Sequence, residues 1–517
     1  MPNFTPTDEQ VRIIELVKSG QSCAVQAGAG TGKTSTQVLA CEAIPDRRVQ
    51  YVAFNKAVVT DVESRLPSNA KARTSHSLAF GAVGRTFAHR LNSGRMRSQD
   101  VAKALGIDPF SIPFGDGTKT LAAGWLAGHV MKAIGAFCNS ADLVPARRHF
   151  AYIDGVDLPT STGDRTYGSN DAIADYLLPF VEIAWADLSS PDGRLPYKHD
   201  HYLKTWQLSP TPTIAADVIM LDEAQDTNPV LLDVLRRQSA QLVAVGDSQQ
   251  ELYAWRGAEN ALSMIPADAT AFLTHSFRFG PAIADAANSI LDLIPGAELR
   301  ITGSGGPSTI GPDDWPDGVL TRTNAAAIVA VLSALDDDRR PHLVGGGGEI
   351  KAFVKAAQEL MERGSTTYHD LACFGSWGEV VDYAENDPQG DELRLSVKLI
   401  KDYGVEKILR AVDESAGRPE DADVVISTAH KSKGREWPSV RIGDDFPMPK
   451  DPEGTFSPAE LRLLYVAVTR ARMNLDYFGC EPLEEILGPC DEEPIESDAL
   501  GDVTAWVDGV ESEEVGP

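Results

Sequence analysis

The chain has 517 residues, 43% of them hydrophobic, which is enough for several domains and more than one core. Its formal net charge of −28 counts against a basic surface spread over the whole protein. However, thirteen of the carboxylates, with no Lys or Arg, fall after Cys480, so a local basic groove elsewhere is still possible. No apolar run nears the ~18 residues that cross a bilayer, MPNFTPTDEQ lacks the regions of a secretory leader, and the six cysteines show neither C-x-x-C nor zinc spacing, so a reduced cytoplasmic protein with no membrane partner is expected.

In chain order, SCAVQAGAGTGKTSTQVLACEA (22–43) reads as strand, glycine-rich turn and helix, and RVQYVAFNKAVVTDVESRL (48–66) as a second strand and helix. A helical stretch joined by Gly/Pro/Asp loops follows over about 85–207. ADVIMLDEAQDTN (216–228), AQLVAVGDSQQ (240–250) and ATAFLTHSFRFG (269–280) are short apolar strands with polar ends. A second series begins with DGVLTRTNAAAIVAVLSAL (317–335), is interrupted by helical patterns over 346–420, and resumes with DADVVISTAHKSKGREW (421–437), WPSVRIGDDF (437–446) and SPAELRLLYVAVTRARMNLDYF (457–478). In the last of these, Ser457, Pro458 and Glu460 form a capping-box start to a helix. Strands alternating with helices predict an α/β fold with two P-loop-type parallel-sheet domains and two mainly helical insertions. The expected boundaries are 1–84 with 208–275 for the first domain, 85–207 for its insertion, 276–345 with 421–480 for the second domain, and 346–420 for a short second insertion. The acidic tail, 481–517, is expected to be without order, the alternative being a partner-binding segment around Trp506.

Three stretches carry chemistry on their residue types alone. In AGAGTGKT (27–34), the loop Gly28, Ala29, Gly30, Thr31, Gly32 allows backbone N–H groups to turn inward on phosphate oxygens, Lys33 suits the β/γ-phosphates and Thr34 a Mg²⁺ ion, although Ala27 stands where the strict pattern has glycine. In IMLDEAQD (219–226), an apolar strand delivers Asp222 as a Mg²⁺ ligand and Glu223 as the group that orients or deprotonates water. In VGDSQQELYAWRGA (245–258), Gln249 and Gln250 suit phosphate or water positioning, while Tyr253, Trp255 and Arg256 form a flat platform beside a fixed cation. HDH (199–201) offers too few ligands for structural zinc and reads as a packed or DNA-facing loop. Gly345–Gly348 lacks a following Lys-Thr and reads as a strand-to-helix junction.

AGAGTGKT, LDEAQD, VGDSQQELYAWRGA, HSFRFG, TAHKSKGREW and LLYVAVTRAR occur in that order. Together they resemble the motif set of superfamily 1A DNA helicases of the UvrD/Rep type, from about Phe4 to Phe478. HDHYLKTWQLS (199–209) resembles the F-box DNA helicase branch in particular. No F-box precedes Gln10, so ubiquitin-ligase recruitment is not part of the expectation. The resemblance implies RecA-like domains. It further implies that Gln10 reads adenine, Gln250 senses the γ-phosphate, Phe277 stacks on the base, Arg278 and Arg470 act as arginine fingers, and Glu436 meets the ribose. For single-stranded DNA it implies Phe54, Asn55, Lys56, Thr74, His76, Tyr253, Trp255, Arg256, Arg322, Asn324 and His430. The 245–258 loop would thus carry Gln250 toward ATP and Trp255 toward a base, coupling the two.

The resulting expectation is an ATP- and Mg²⁺-dependent helicase or translocase. It would act 3′ to 5′ on single-stranded and tailed duplex DNA in repair, recombination or replication, with a protein partner at the tail or insertions. The alternative is a helicase-like ATPase subunit that regulates a partner nuclease or a repair or defence complex without processive unwinding.

Overall fold

The computed structural model describes residues 5–53, 55–91, 94, 96–114, 117–153, 168–251, 262–366, 368, 371, 374–386, 391–449, 454–490 and 495–496. The chain divides into two compact units, Met1–Ala27 with Gly32–Leu273, and Gly28–Thr31 with Thr274–Pro517. The first contains α1 (Asp8–Ser19), β1 (Cys23–Ala27), α2 (Lys33–Glu42), β2 (Val49–Ala53), α3 (Lys56–Glu63), β3 (Ala70–Thr74), α4 (Ser75–Ala82), α5 (Ser98–Leu105), β4 (Phe110–Phe114), β5 (Gly117–Leu121), α6 (Ala123–Asn139), α7 (Ser169–Ser189), α8 (His199–Gln207), β6 (Val218–Leu221), α9 (Pro229–Arg236), β7 (Gln241–Gly246) and β8 (Ala269–Leu273).

Six of these strands form a parallel sheet in the order β3-β2-β6-β7-β1-β8. Residues of β6 and β7 alternate between two cores. Val218, Met220, Val243 and Val245 face one that includes Ile13, Leu16 and Val38 of α1 and α2. Ile219, Leu221, Leu242 and Ala244 face the other, with Leu126, Ile134 and Phe137 of α6, Ile173 and Leu177 of α7, and Tyr202 and Trp206 of α8. A strand apolar at every position is the pattern of a parallel sheet covered on both faces, and each large side chain so buried stabilises by roughly 1.5–3 kcal/mol. Among the described residues, the region read as an insertion at 85–207 therefore shares this core. Its helices complete the second face of the first sheet.

The second unit contains β9 (His275–Ser276), α10 (Pro281–Leu293), β10 (Thr302–Gly303), β11 (Thr309–Ile310), β12 (Gly318–Thr321), α11 (Asn324–Asp336), β13 (Pro341–Leu343), α12 (Gly348–Arg363), α13 (Trp377–Asn386), α14 (Asp391–Glu414), β14 (Val424–Thr428), β15 (Trp437–Ile442), α15 (Pro458–Val468), β16 (Ala471–Asp476), α16 (Glu481–Leu487) and β17 (Ile495–Glu496). Its sheet order is β13-β14-β12-β15-β16-β11-β17, parallel except for the β11–β17 pair. Helices α12 to α14 of the 346–420 stretch share one core with α11 and β14 through Phe353, Val354, Leu360, Val397 and Ile408.

Four readings need correction. The 85–207 stretch contains a hairpin, β4–β5, whose weakly patterned strands are paired antiparallel from Phe110↔Leu121 to Phe114↔Gly117. HDH opens helix α8 and is not a loop, because packing buries His201, Tyr202, Leu203, Lys204, Trp206 and Gln207 along it. The apolar run 269–280 is not one strand, since β8 and β9 belong to different sheets. The tail is ordered at its start, where α16 buries Leu483 and the Tyr477 hydroxyl donates to the Gly488 carbonyl at 3.2 Å, and β17 pairs with β11. Trp506 lies outside the described residues.

Candidate nucleotide site and nucleic-acid track

In an open parallel sheet, ligands bind beyond the carboxyl ends of the strands. In the first unit these ends present Asn55 and Lys56 after β2, Ser75 and His76 after β3, Asp222 and Glu223 after β6, and Asp247 to Gln250 after β7. The turn into α2 needs glycine at Gly30 (φ 74°) and Gly32 (φ 76°), both left-handed. Gly32 caps α2 with no side-chain hydrogen bond, which leaves the positive end of the helix, at Lys33 and Thr34, the kind of end that suits an anion.

Asp222 is held on both oxygens. Gln37 Nε2 donates to Oδ1 at 2.9 Å and the Tyr51 hydroxyl donates to Oδ2 at 2.7 Å. Burial, reinforced by the neighbouring Glu223, raises the Asp222 carboxyl to about 6, while the Tyr51 hydrogen bond and Lys33 pull the other way. Burial and the same carboxylates push the Tyr51 hydroxyl far upward, which keeps it a donor, and Thr34 also bonds to it. Hard oxygen donors of this kind, a carboxylate beside a threonine hydroxyl, suit Mg²⁺. Sequence reasoning missed Tyr51 and Gln37. The signal was a tyrosine inside an apolar strand, where a hydroxyl needs a partner.

Glu223 has φ 49° and ψ 46°, a left-handed backbone that costs a non-glycine residue about 1–3 kcal/mol. Its Oε2 accepts from Gln225 Nε2 at 2.6 Å, and Gln225 Oε1 accepts from the Asp247 N–H at 2.9 Å. Asp247 in turn accepts from the Gln249 N–H at 3.1 Å and from Gln250 Nε2 at 2.8 Å. Gln10 closes a capping box at the start of α1, accepting from the Thr7 N–H and donating to Thr36 Oγ1, each at 3.1 Å.

Along the β2–β3 edge, Asn55 caps α3 by accepting from the Val58 N–H at 3.0 Å, Lys56 is exposed, and Thr74 caps α4 by accepting from the Ser77 N–H at 3.1 Å. His76 Nε2 lies 3.0 Å from Asp200 Oδ1, a pairing that holds the Asp200 carboxyl below its ordinary range. An open hollow of about 650 Å³ lies there, lined by His76, Phe80, His199 and Tyr202 among others. A second of about 170 Å³ has His76, Asp200, Asp222 and Glu223 in its wall. Burial lowers His201 to about 4, and its Nδ1 accepts from the Lys198 N–H at 3.0 Å. No cluster of His, Cys, Asp or Glu among the described residues is suited to a metal ion. Phe54, Tyr253, Trp255 and Arg256 lie outside the described residues.

In the second unit, Ala29 donates its N–H to the Tyr465 hydroxyl at 3.3 Å and Phe277 donates its N–H to the Gly30 carbonyl at 2.9 Å. A Cβ on Gly30 would meet Arg278 Cβ at 2.5 Å, so only glycine allows this approach. The Phe277 side chain is 42% exposed. Arg278 donates to Glu436 Oε2 at 2.6 Å and to the Thr469 carbonyl at 3.1 Å. Glu436 also pairs with Arg472 at 3.8 Å.

Arg470 departs from the picture of a guanidinium presented to a phosphate. It is 1% exposed and donates to the Val466 carbonyl, the Arg435 carbonyl and Thr469 Oγ1. The reason is local, because α15 is buried through Val468 and the chain leaving it enters β16 inside the unit. Arg322 is likewise engaged, in a bidentate pair with Glu460 (Nη2 to Oε1, 2.8 Å; Nε to Oε2, 3.0 Å). Asn324 Oδ1 accepts from Lys431 Nζ at 3.0 Å, and burial, then Arg322, lower the His430 imidazole.

Two family models match the chain: an AAA domain over residues 10–256 and a UvrD-like helicase C-terminal domain over 423–475. The chain carries a UvrD-like helicase C-terminal domain behind an AAA domain. Among the relatives of this UvrD-like chain, the F-box DNA helicase protein 1 of Schizosaccharomyces pombe is 30% identical over 512 residues, 91% of this chain and 57% of the relative. F-box DNA helicase 1 of Gallus gallus is 30% identical over 533 residues, 96% of this chain and 51% of the relative. The ATP-dependent DNA helicase PcrA of Staphylococcus aureus is 40% identical over 81 residues, 14% of this chain and 11% of the relative. The chain thus spans about half the length of the F-box helicases it matches. Both of its sheets are those of RecA-like α/β units. Among the described residues no helix is long and apolar enough to cross a membrane.

Proposed function

We propose that the chain is an ATP-dependent DNA translocase and helicase that moves 3′ to 5′ on single-stranded DNA, coupling hydrolysis in its RecA-like units to strand separation. The observation that carries this reading is the sharing of one parallel sheet by the phosphate-turn strand β1, the acid strand β6 and the sensor strand β7. In such a sheet the backbone N–H groups of the turn and Lys33 bind the phosphates, and Gln10 reads the base. Thr34 and Asp222 would hold Mg²⁺, which supplies charge neutralisation on the phosphates when bound. Glu223 takes a proton from the attacking water as its oxygen adds to the γ-phosphorus and the bond from that phosphorus to the β-phosphate oxygen breaks, with ADP leaving, and Gln250 senses that phosphoryl group.

Phe277 is proposed to stack on the base, Glu436 to meet the ribose and Arg278 to be the finger that meets developing negative charge. Such a cation is worth up to about 10³–10⁵ in rate. Arg470 would reach a phosphoryl group only by leaving Val466, Thr469 and Arg435. Asn55, Lys56, Thr74, His76, Arg322, Asn324 and His430 are proposed for the DNA backbone, with Phe54, Tyr253, Trp255 and Arg256 as stacking and cationic contacts.

The names of the relatives support DNA as the polymer and ATP as the fuel. One observation favours the second reading, a helicase-like ATPase that regulates a partner complex. Among the described residues, helices α12 to α14 share the core of the second unit rather than a separate one. ATP turnover measured against added single-stranded DNA, followed by unwinding of 3′- and 5′-tailed duplexes, tests both. Stimulation with opening of the 3′-tailed substrate alone is expected. Stimulation without unwinding selects the regulatory reading, and turnover indifferent to DNA removes both.

A further inference from the structure

Gln225, which lies in the acid motif but has no assigned role, is 0% exposed and spends its amide on two elements. Nε2 donates to the Glu223 carboxylate at 2.6 Å, and Oε1 accepts from the Asp247 N–H at 2.9 Å. Glu223 needs such a tether because its backbone is left-handed at φ 49°, a conformation that persists only where the surroundings enforce it. On the far side, Asp247 holds Gln250 through Nε2 at 2.8 Å and Gln249 through its N–H at 3.1 Å. The approach is tight, since a Cβ on Gly246, the last residue of β7, would lie 2.4 Å from Gln225 Oε1. One buried amide therefore joins the end of β6 to the turn after β7.

We infer that Gln225 is a positioning residue for hydrolysis. It fixes the Glu223 carboxylate and ties it to the Asp247–Gln250 turn, so that the water-activating group and the γ-phosphate sensor share one geometry. The inference deepens the ATPase reading and rests on it. An amide is the side chain that does this, because it donates to a carboxylate and accepts from an N–H at once. Glutamate in its place would keep the acceptor and set a second carboxylate against Glu223. Leucine would keep the bulk and lose both bonds.

The test compares the full chain with Gln225→Leu, Gln225→Glu and Gly246→Ala, reading kcat and KM for MgATP, nucleotide affinity by fluorescent-analogue titration, and melting temperature. Turnover is expected to fall 10- to 100-fold in all three, with nucleotide affinity within threefold of wild type. Gly246→Ala reproduces the effect by pushing the amide aside while leaving Gln225 itself intact. In a Glu223→Gln background, Gln225→Leu should produce no further loss, because it acts through the group already replaced. Near wild-type turnover in the variants overturns the inference. So does a loss of affinity and melting temperature that matches the loss of rate, or a Gln225 effect that persists without Glu223. A wild-type chain that shows no DNA-stimulated turnover sinks the functional reading itself. Active wild type with unaffected variants sinks this inference alone.

Discussion

Replacing Tyr51 by phenylalanine removes one oxygen from a side chain that is 0% exposed, so no water takes its place. The Asp222 carboxylate loses the donor 2.7 Å from its Oδ2 and keeps only Gln37. A buried charged acceptor deprived of a donor loses about 1–3 kcal/mol, which for a unit of this size lowers the melting temperature by about 2–4 °C per kcal/mol. The pH dependence follows from the direction of the Asp222 shift. Its folded carboxyl is raised from 3.8 to about 6, so its contribution to stability is full below the unfolded value and is lost as pH rises through 6. The Tyr51 hydrogen bond offsets part of that loss, because it stabilises the ionised form. The deficit of Tyr51→Phe relative to wild type should therefore be small near pH 5 and largest at pH 8, in melts of the nucleotide-free protein. At pH 8 its kcat should also fall about tenfold, as the carboxylate loses its fixed orientation, and Gln37→Leu should be non-additive with it. A deficit that does not change with pH, or a kcat equal to wild type, would refute the argument that Tyr51 acts on the ionised carboxylate.

Three other outcomes are expected. Glu223→Gln should retain MgATP and DNA binding and lose turnover by at least about 100-fold; near-normal hydrolysis would remove its role. Arg322→Ala and Glu460→Gln should move DNA affinity in opposite directions, because the first removes a cation and the second releases it from its bidentate partner. Salt titrations of DNA binding should show the slope falling by about 1 for Arg322→Ala; shifts of the same sign would mark the pair as structural only. Arg470→Ala should lower the melting temperature as well as turnover, since the side chain holds two carbonyls and a hydroxyl inside the unit. A pure loss of rate at unchanged stability would point to direct contact with phosphate.

The phosphate turn and acid pair were legible because each is local. Glycines at positive φ followed by Lys-Thr, and an apolar strand ending in Asp-Glu, announce backbone geometry and charge within a few residues. The groups that orient them were not legible. Gln37 and Tyr51 lie 185 and 171 residues from Asp222, and although a tyrosine inside VQYVA signals a hydroxyl in need of a partner, neither KTSTQ nor VQYVA says that the partner is Asp222. Gln225 was visible as a letter of the motif, but its second bond, to a residue 22 positions on, exists only because β6 and β7 are neighbours.

The same division holds for the whole chain. Sequence by itself determined the alternation of strands and helices, the residues at strand ends and the family resemblance, because periodicity and turn chemistry are properties of neighbouring residues. Tertiary structure alone decided that the 85–207 helices would cover the first sheet, that HDH would open a buried helix, that the start of the tail would be ordered, and that Arg470 would turn inward. In each case the deciding term is burial, which for the 85–207 helices is against strands far away in the chain and for Arg470 is set by the buried end of α15, and burial depends on which surfaces meet.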